Sequence, residues 1–410
     1  MPWYLHLALR QLFPSGRRVP FFTVMSITGV LLGVALLYVS TSVMGGFGFE
    51  IRRMIVETQG DVQVRSGSLI ADPAPALAAI RATKGVTGAT PVAEGVVMLE
   101  HKGRPVFPAI QGVDPATVGS VVPLDRYMRA GSLDDLDDDG VILSAQLASA
   151  LGARVGDRVE VTSPLLLERL KSDEVFLPRE LRVAGVFEIG HQHLDKNVAV
   201  VTLRRMQDLY GLGKAVHGVN VRLAPGADAD AAAAVLDGNL PPGAGRARSW
   251  KAANEGFLYV IQLEKNLIFF LLMFIVVVAA FSLASSLLTS VVRKTREIGL
   301  LRALGAGAGQ VAACFCLQGF LIGVWGTVLG LGAGWVFMFF RNDILGAFMR
   351  LTSRESEMLQ FYNTNLLPAH LSAADFWIIV GFSVCVSTLA GLLPAWRASR
   401  LKPTEALRND

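Results

Sequence analysis

The residues with the most chemical promise are Gly305, Gly307 and Gly309 in the stretch TREIGLLRALGAGAG, Thr295 to Gly309, where a close glycine run follows Arg296 and Arg302. A phosphate loop of the G-x-x-x-x-G-K-[ST] type wraps backbone amides around the phosphates and completes the site with a lysine and a hydroxyl. No lysine follows these glycines, Gln310 stands where a dinucleotide fingerprint has its last glycine, and no strand precedes the run. With no Walker motif elsewhere, the chain is not expected to hydrolyse ATP. His191 and His193 in GHQHLD have only Asp195 and no cysteine beside them, which is thin for a metal site. The acids of DDLDDDG, 134–140, lack the ligand spacing and terminal glutamate of an EF-hand loop and read as a solvated turn. No G-x-S-x-G frame presents a nucleophile. The expectation is no catalytic residue, no metal and no cofactor in this chain.

The elements that position these residues are membrane helices. Of 410 residues, 52% are hydrophobic and 18% charged, and the mean hydropathy is +0.46. That is a membrane composition with a soluble part. Cys314, Cys316 and Cys385 all lie in apolar runs, so the soluble part is not stapled by disulfides. The net charge of +4 is concentrated beside the apolar runs rather than spread over a basic, aromatic-interleaved face, which argues against nucleic acid.

A bilayer core of about 30 Å needs roughly 20 apolar residues. Four stretches qualify. The chain therefore divides into an N-terminal segment 1–18, helix 19–49, a large domain 50–262, helix 263–292 (charge-free from Asn266), a turn 293–309, helix 310–340, a loop 341–375, helix 376–396 and a tail 397–410. The first helix is too long for a signal peptide and reads as a retained anchor. Arg10, Arg17 and Arg18, then Arg293, Lys294, Arg296 and Arg302, then Arg397, Arg400, Lys402 and Arg408 flank the spans; positive-inside reasoning puts both termini and the turn in the cytoplasm. The fold class is an α-helical membrane protein with four transmembrane helices and a large α+β domain inserted between helices 1 and 2, outside the cytoplasm. The charge-free spans argue against an ion-driven carrier. Gly29 and Gly33, Gly319 and Gly323, and Gly326, Gly330 and Gly334 recur every four residues, suiting close packing within one subunit or a seam between two.

Strands are expected at 61–66, 95–100, 104–113, 157–162, 181–189, 197–203 and 218–224, and helices at 72–83, 144–152, 202–211 and 227–238. The connection 163–180 is too long for a hairpin loop; Leu165, Leu166, Leu167, Leu170, Val175, Phe176 and Leu177 between Pro164 and Pro178 suit either a docking arm or a flap folded on the core. Met44, Phe47, Phe49, Phe257, Tyr259, Ile261 and Leu263 fall near the outer leaflet, as an aromatic belt or a cavity for lipid chains. In the turn, Ile298, Leu301 and Leu304 at helical spacing beside Arg296 and Arg302, with Arg293 and Glu297 spaced to pair, fit an interfacial helix or a helix that enters a partner's groove.

REIGLLRALGA after a span, the glycine-repeated third span and LAGLLPAWRASRLKPTEALR (389–408) resemble the permease domain shared by FtsX, MacB and the lipoprotein-releasing LolC/LolE proteins. SVMGGFGFE (42–50), QLEKN (262–266) and FYNTNLLPAHLSAADF (361–376) are similar to LolC/LolE more specifically. The resemblance covers essentially the whole chain and implies a bacterial inner-membrane ABC transporter permease with a periplasmic domain. It implies two copies of a LolD-like ATPase that uses ATP and Mg, a second permease (a LolC/LolE partner or another copy of the chain), a LolA-like periplasmic carrier, and lipoprotein substrates. By the resemblance, Arg296, Glu297, Gly299, Leu301, Arg302 and Gly305 would couple to the ATPase, and Met44, Phe47, Phe257, Tyr259 and Leu263 would line the lipoprotein and lipid cavity. Leu165, Leu166, Leu167, Leu170, Phe176, Leu177 and Pro178 would lie in a carrier-binding hook. A MacB-like mechanotransmitting exporter and an FtsX-like regulator of cell-wall hydrolases are the alternatives; MacB has its ATPase fused ahead of its first span, and FtsX a smaller external domain.

Overall fold

The computed structural model describes residues 6–8, 10, 21–163, 179–189, 197–352 and 367–400. Ten helices longer than one turn are labelled in chain order: α1 Phe21–Gln59, α2 Ala74–Ala82, α3 Ala145–Leu151, α4 Leu203–Tyr210, α5 Ala229–Asn239, α6 Glu255–Arg293, α7 Thr295–Ala303, α8 Ala308–Phe339, α9 Arg341–Thr352 and α10 Ala373–Ser399. Four of them, α1, α6, α8 and α10, are long and apolar enough to cross a membrane. At about 1.5 Å per residue, the 39-residue α1 and α6 exceed a bilayer core by roughly twofold. The described residues form two compact units, one drawn from the stretches up to 49, 260–351 and 367–400, and the other from 50–259 with Thr352.

In the helical unit the glycines serve intramolecular packing. A Cβ at Gly326, Gly330 or Gly334 would stand 2.7 to 2.8 Å from Val30, Val34 or Tyr38 of α1, and one at Gly319 or Gly323 would stand 2.9 or 2.6 Å from Ser387 of α10. Gly33 faces Val276 of α6 at 3.1 Å. Without an aqueous driving force between helices, such close approach and the dispersion contacts it brings hold a bundle together. α8 is thus the hub: its first glycines seat α10 and its later ones seat α1. Of the two readings of the glycine repeat, the structure carries packing within one subunit.

The second unit is built on a 12-stranded mixed sheet: β1 Val62–Ile70, β2 Val86–Val96, β3 Met98–His101, β4 Arg104–Val106, β5 Ala109–Val113, β6 Met128–Gly131, β7 Gly140–Ser144, β8 Arg158–Thr162, β9 Arg179–Phe187, β10 Val198–Thr202, β11 Val216–Leu223 and β12 Arg246–Ser249. The order is β12-β1-β11-β2-β5-β10-β7-β9-β8-β3-β4, with β6 on β9. Among the described residues, only β5–β10 and β7–β9 run parallel. α3 and α4 start and stop as capping chemistry predicts: Ser144 and Thr202 accept from Leu147 and Arg205 amides, and Gly152 and Gly211 end them at φ 67° and 64°. The acids of 134–140 meet arginines: Asp137 with Arg182 at 3.4 Å, Asp138 with Arg204 at 3.1 Å and Asp139 with Arg205 at 2.5 Å. They tie α4 and β9 to the β7 entry.

The last turns of α1 belong to this second unit. Ile55 is buried in a core with Val62, Val219, Leu236 and Trp250, and the Arg52 guanidinium lies 5.5 Å over the Trp250 ring. Tyr127 donates its hydroxyl to Glu57, whose other oxygen accepts from Arg53 Nε at 3.2 Å. Burial and the hydrogen bond to Glu57 push the Tyr127 phenol up from its ordinary value of 10.0 to about 12. The folded state holds this proton more tightly than the unfolded chain, so its contribution is complete below pH ~10 and is lost as pH rises through ~12. The expected result is that Tyr127→Phe removes part of the loss in melting temperature seen between those pH values; an unchanged slope would mean that this hydrogen bond does not contribute.

Candidate functional site

Two places in the helical unit combine exposed chemistry with built geometry. The first is α7. Thr295 Oγ1 donates to the Val292 carbonyl at 2.8 Å, Ile298 is buried with Val291, Val311, Phe315, Ala395 and Ala398, and Arg302 Nη1 donates to the Ser399 carbonyl at 2.9 Å. Leu7 lines the groove in which Ile298 and Leu301 meet Phe315. Gly299 is buried and Leu301 and Arg302 are half-buried, so one face of α7 is held by the bundle. The opposite face presents Arg296, Glu297, Leu300, Ala303 and Leu304, with Leu300 55% and Leu304 78% exposed.

This arrangement corrects the apolar face read from the sequence. At about 100° per residue, Leu304 points roughly 120° away from Ile298. Ile298 and Leu301 are therefore anchors, and the outward apolar pair is Leu300 with Leu304. Leu300 was missed; its position four residues after Arg296 and four before Leu304 was the available signal. The expected pair of Arg293 with Glu297 is also replaced. Glu297 meets Lys294 at 3.8 Å, while the Arg293 guanidinium lies 5.2 Å over the Phe22 ring.

The glycine run has a structural use. Gly305 adopts φ 102°, open to glycine at little cost, while Gly305 and Ala306 amides bond back to Arg302 and Leu301 carbonyls and stop α7. Gln310 Oε1 accepts from the Gly307 amide at 3.1 Å and so caps the start of α8. The residue that spoils the dinucleotide fingerprint is a helix cap.

The second place lies at the far end of the bundle, where the motifs 42–50, 262–266 and 361–376 converge in their described parts. The His370 amide donates to the Ser42 carbonyl at 2.9 Å, the His370 and Phe49 rings stack at 5.3 Å, and a Cβ on Gly45 or Gly46 would land on the backbone of Pro368 to His370. Lys265 Nζ meets Asp375 Oδ2 at 2.9 Å with both side chains largely buried, 24% and 18% exposed. A lip of chain, 367–372, is thus seated on bare α1 backbone, and just beyond it the Lys265–Asp375 pair ties α6 to α10.

Met44 and Phe47 are half-buried on α1 beside this lip, and Phe257, Tyr259 and Leu263 are exposed on α6. Tyr259, Leu263 and Leu267 follow at four-residue spacing and make one apolar stripe. Leu165, Leu166, Leu167, Leu170, Phe176, Leu177 and Pro178 of the expected hook lie outside the described residues, as do His191, His193 and Asp195.

Residues 269–403 match the FtsX-like permease C-terminal family, and residues 23–238 match the MacB-like periplasmic core domain. The lipoprotein-releasing system transmembrane protein LolC of Neisseria meningitidis serogroup B is 31% identical over 98% of each chain. The chain belongs to the LolC/LolE family of lipoprotein-releasing transmembrane proteins. The LolE of Haemophilus influenzae is 23% identical over 93% of each chain. The macrolide export ATP-binding/permease protein MacB of Bdellovibrio bacteriovorus is 30% identical over 33% of this chain and 18% of its own. As a LolC/LolE-type permease, the chain is membrane-spanning with a periplasmic-type domain.

Proposed function

We propose that the chain is the transmembrane subunit of an ABC transporter that lifts lipoproteins destined for the outer membrane out of the bacterial inner membrane. The observation that carries this reading is the presentation of α7: a nine-residue helix braced on one face and offering Arg296, Leu300 and Leu304 on the other. A short amphipathic helix in that setting fits a groove on a partner, here a LolD-like ATPase dimer in the cytoplasm that binds ATP and Mg. Glu297 and Gly305 flank the contact, and Gly299, Leu301 and Arg302 act from behind by fixing α7 to the bundle. The lipoprotein's acyl chains would enter by Met44, Phe47, Phe257, Tyr259 and Leu263, with membrane lipid as the competing occupant. A second permease, of LolC/LolE type or another copy of this chain, completes the channel. The connection 163–180 would serve as the hook that receives a LolA-like carrier.

Both termini and the α6–α8 turn are cytoplasmic in this reading, and the mixed-sheet unit is periplasmic. A MacB-like export role is the second reading, favoured by the match of residues 23–238 to the MacB-like periplasmic core. Purification of the tagged chain from its own membranes, followed by mass spectrometry, separates the two. A stand-alone ATPase, a permease and acylated lipoproteins are expected; a periplasmic adaptor and an outer-membrane channel would favour the exporter.

A further inference from the structure

The helix α9 has no part in the function proposed above, and its residues are sorted by face. Ile344, Phe348 and Leu351 are 42%, 61% and 84% exposed and recur at i, i+4 and i+7. At about 100° per residue they share one arc with Ala347, while exposed Asp343 and Arg350 lie together on another and half-buried Leu345 on a third. A helix with an apolar edge, a charged edge and a protein-facing edge is built to lie along a boundary rather than to cross one.

Its level along the bundle is fixed by hydrogen bonds. Arg341 Nη1 donates to the Met338 carbonyl and Nε to the Leu367 carbonyl, each at 2.8 Å, and Asn342 Oδ1 accepts from the Leu367 amide at 3.0 Å. The same segment bonds through His370 to Ser42. From Phe21 to Ser42 α1 rises roughly 32 Å at ~1.5 Å per residue, about the thickness of a hydrocarbon core. Immediately before α9, Trp335, Phe339 and Phe340 are 61%, 66% and 48% exposed at the end of α8, where aromatic side chains favour the headgroup region.

We infer that α9 lies in the outer-leaflet interface with Ile344, Phe348 and Leu351 in the acyl boundary. Its occupant is a lipid surface, and the helix sets the depth at which the lip 367–372 sits. The inference rests on the membrane placement proposed above.

The test places a trifluoromethyl-phenylalanine at Phe348, Asp343 or Phe274 in separate preparations of the full chain. Each is reconstituted into phosphatidylethanolamine and phosphatidylglycerol nanodiscs and followed by fluorine NMR. Phe274, 54% exposed on α6, reports whether the chain is inserted at all, because a nitroxide deep in the acyl chain should broaden it. With Phe274 broadened, the Phe348 signal is expected to lose most of its intensity to a nitroxide near the headgroup and little to a water-soluble gadolinium chelate; Asp343 should show the reverse. Broadening of Phe348 by gadolinium to the same extent as Asp343 would overturn the inference, as would indifference to both reagents, which would mean that protein covers the face. Failure at Phe274 instead would count against the membrane placement.

Discussion

Replacing Leu300 and Leu304 together by glutamate is expected to abolish ATPase binding and ATP-driven release while leaving the chain folded in the membrane. Both side chains are mostly exposed, so neither supports the bundle. Burying a leucine against a partner is worth about 1.5–3 kcal/mol. Losing two therefore removes roughly 3–6 kcal/mol, about two to four decades of affinity at ~1.4 kcal/mol per decade. Charge in their place adds a desolvation cost. Reversal of Arg302 is a poorer test, because its guanidinium also holds the end of α10 through the Ser399 carbonyl. Glu297, exposed and 3.8 Å from Lys294, can be reversed with little structural cost. Co-purification with the ATPase gives the readout, and normal recovery with the Leu300→Glu, Leu304→Glu variant would remove α7 as the contact.

Gly46→Val is expected to break the opposite end. A Cβ there would occupy the space of the Pro368 carbonyl and the Ala369 amide, and backbone cannot swing aside as a side chain does. Overpacking of this kind costs about 1–3 kcal/mol or more. Displacing the lip also costs the hydrogen bond from His370 to Ser42, worth about 1 kcal/mol. Gly48, two residues on in the same helix, has open space around its would-be Cβ. Gly48→Ala should accordingly be neutral or stabilising by up to ~1 kcal/mol, since alanine is the better helix former. Thermal unfolding of the two variants in the same detergent makes the comparison; equal melting temperatures would show that the lip is not seated on Gly46.

The contrast between these glycines explains how far the sequence could be read. The membrane helices were legible because a bilayer demands long apolar runs, and α3 and α4 because Ser144, Thr202, Gly152 and Gly211 carry their own start and stop chemistry. β2 escaped notice over most of its length, since Gly88, Pro91 and Gly95 resemble turn residues. In the fold Gly88 makes room for Ser120 and Gly95 for Tyr210. The run 104–113 reads as one strand but is two, parted at Phe107 and Pro108. Strand order was out of reach because β1 pairs with β11 and β12, well over a hundred residues away. The site was legible as motifs but not as contacts: GG at 45–46 and PAH at 368–370 explain each other only once they touch. On α7 the apolar residues were legible and their division between two faces was not, because nothing local tells which of Ile298 and Leu304 meets the bundle.

In the function proposed, ATP hydrolysed by a partner moves a lipoprotein out of the membrane through this chain. The direct measurement is reconstitution of the chain with its co-purified ATPase and permease partner in vesicles loaded with an acylated lipoprotein, scored for lipoprotein transferred to a soluble periplasmic carrier. ATP-dependent transfer, absent without ATP and absent with the Leu300→Glu, Leu304→Glu variant, is the predicted result. ATP hydrolysis at full rate with the lipoprotein still in the vesicles would contradict the account.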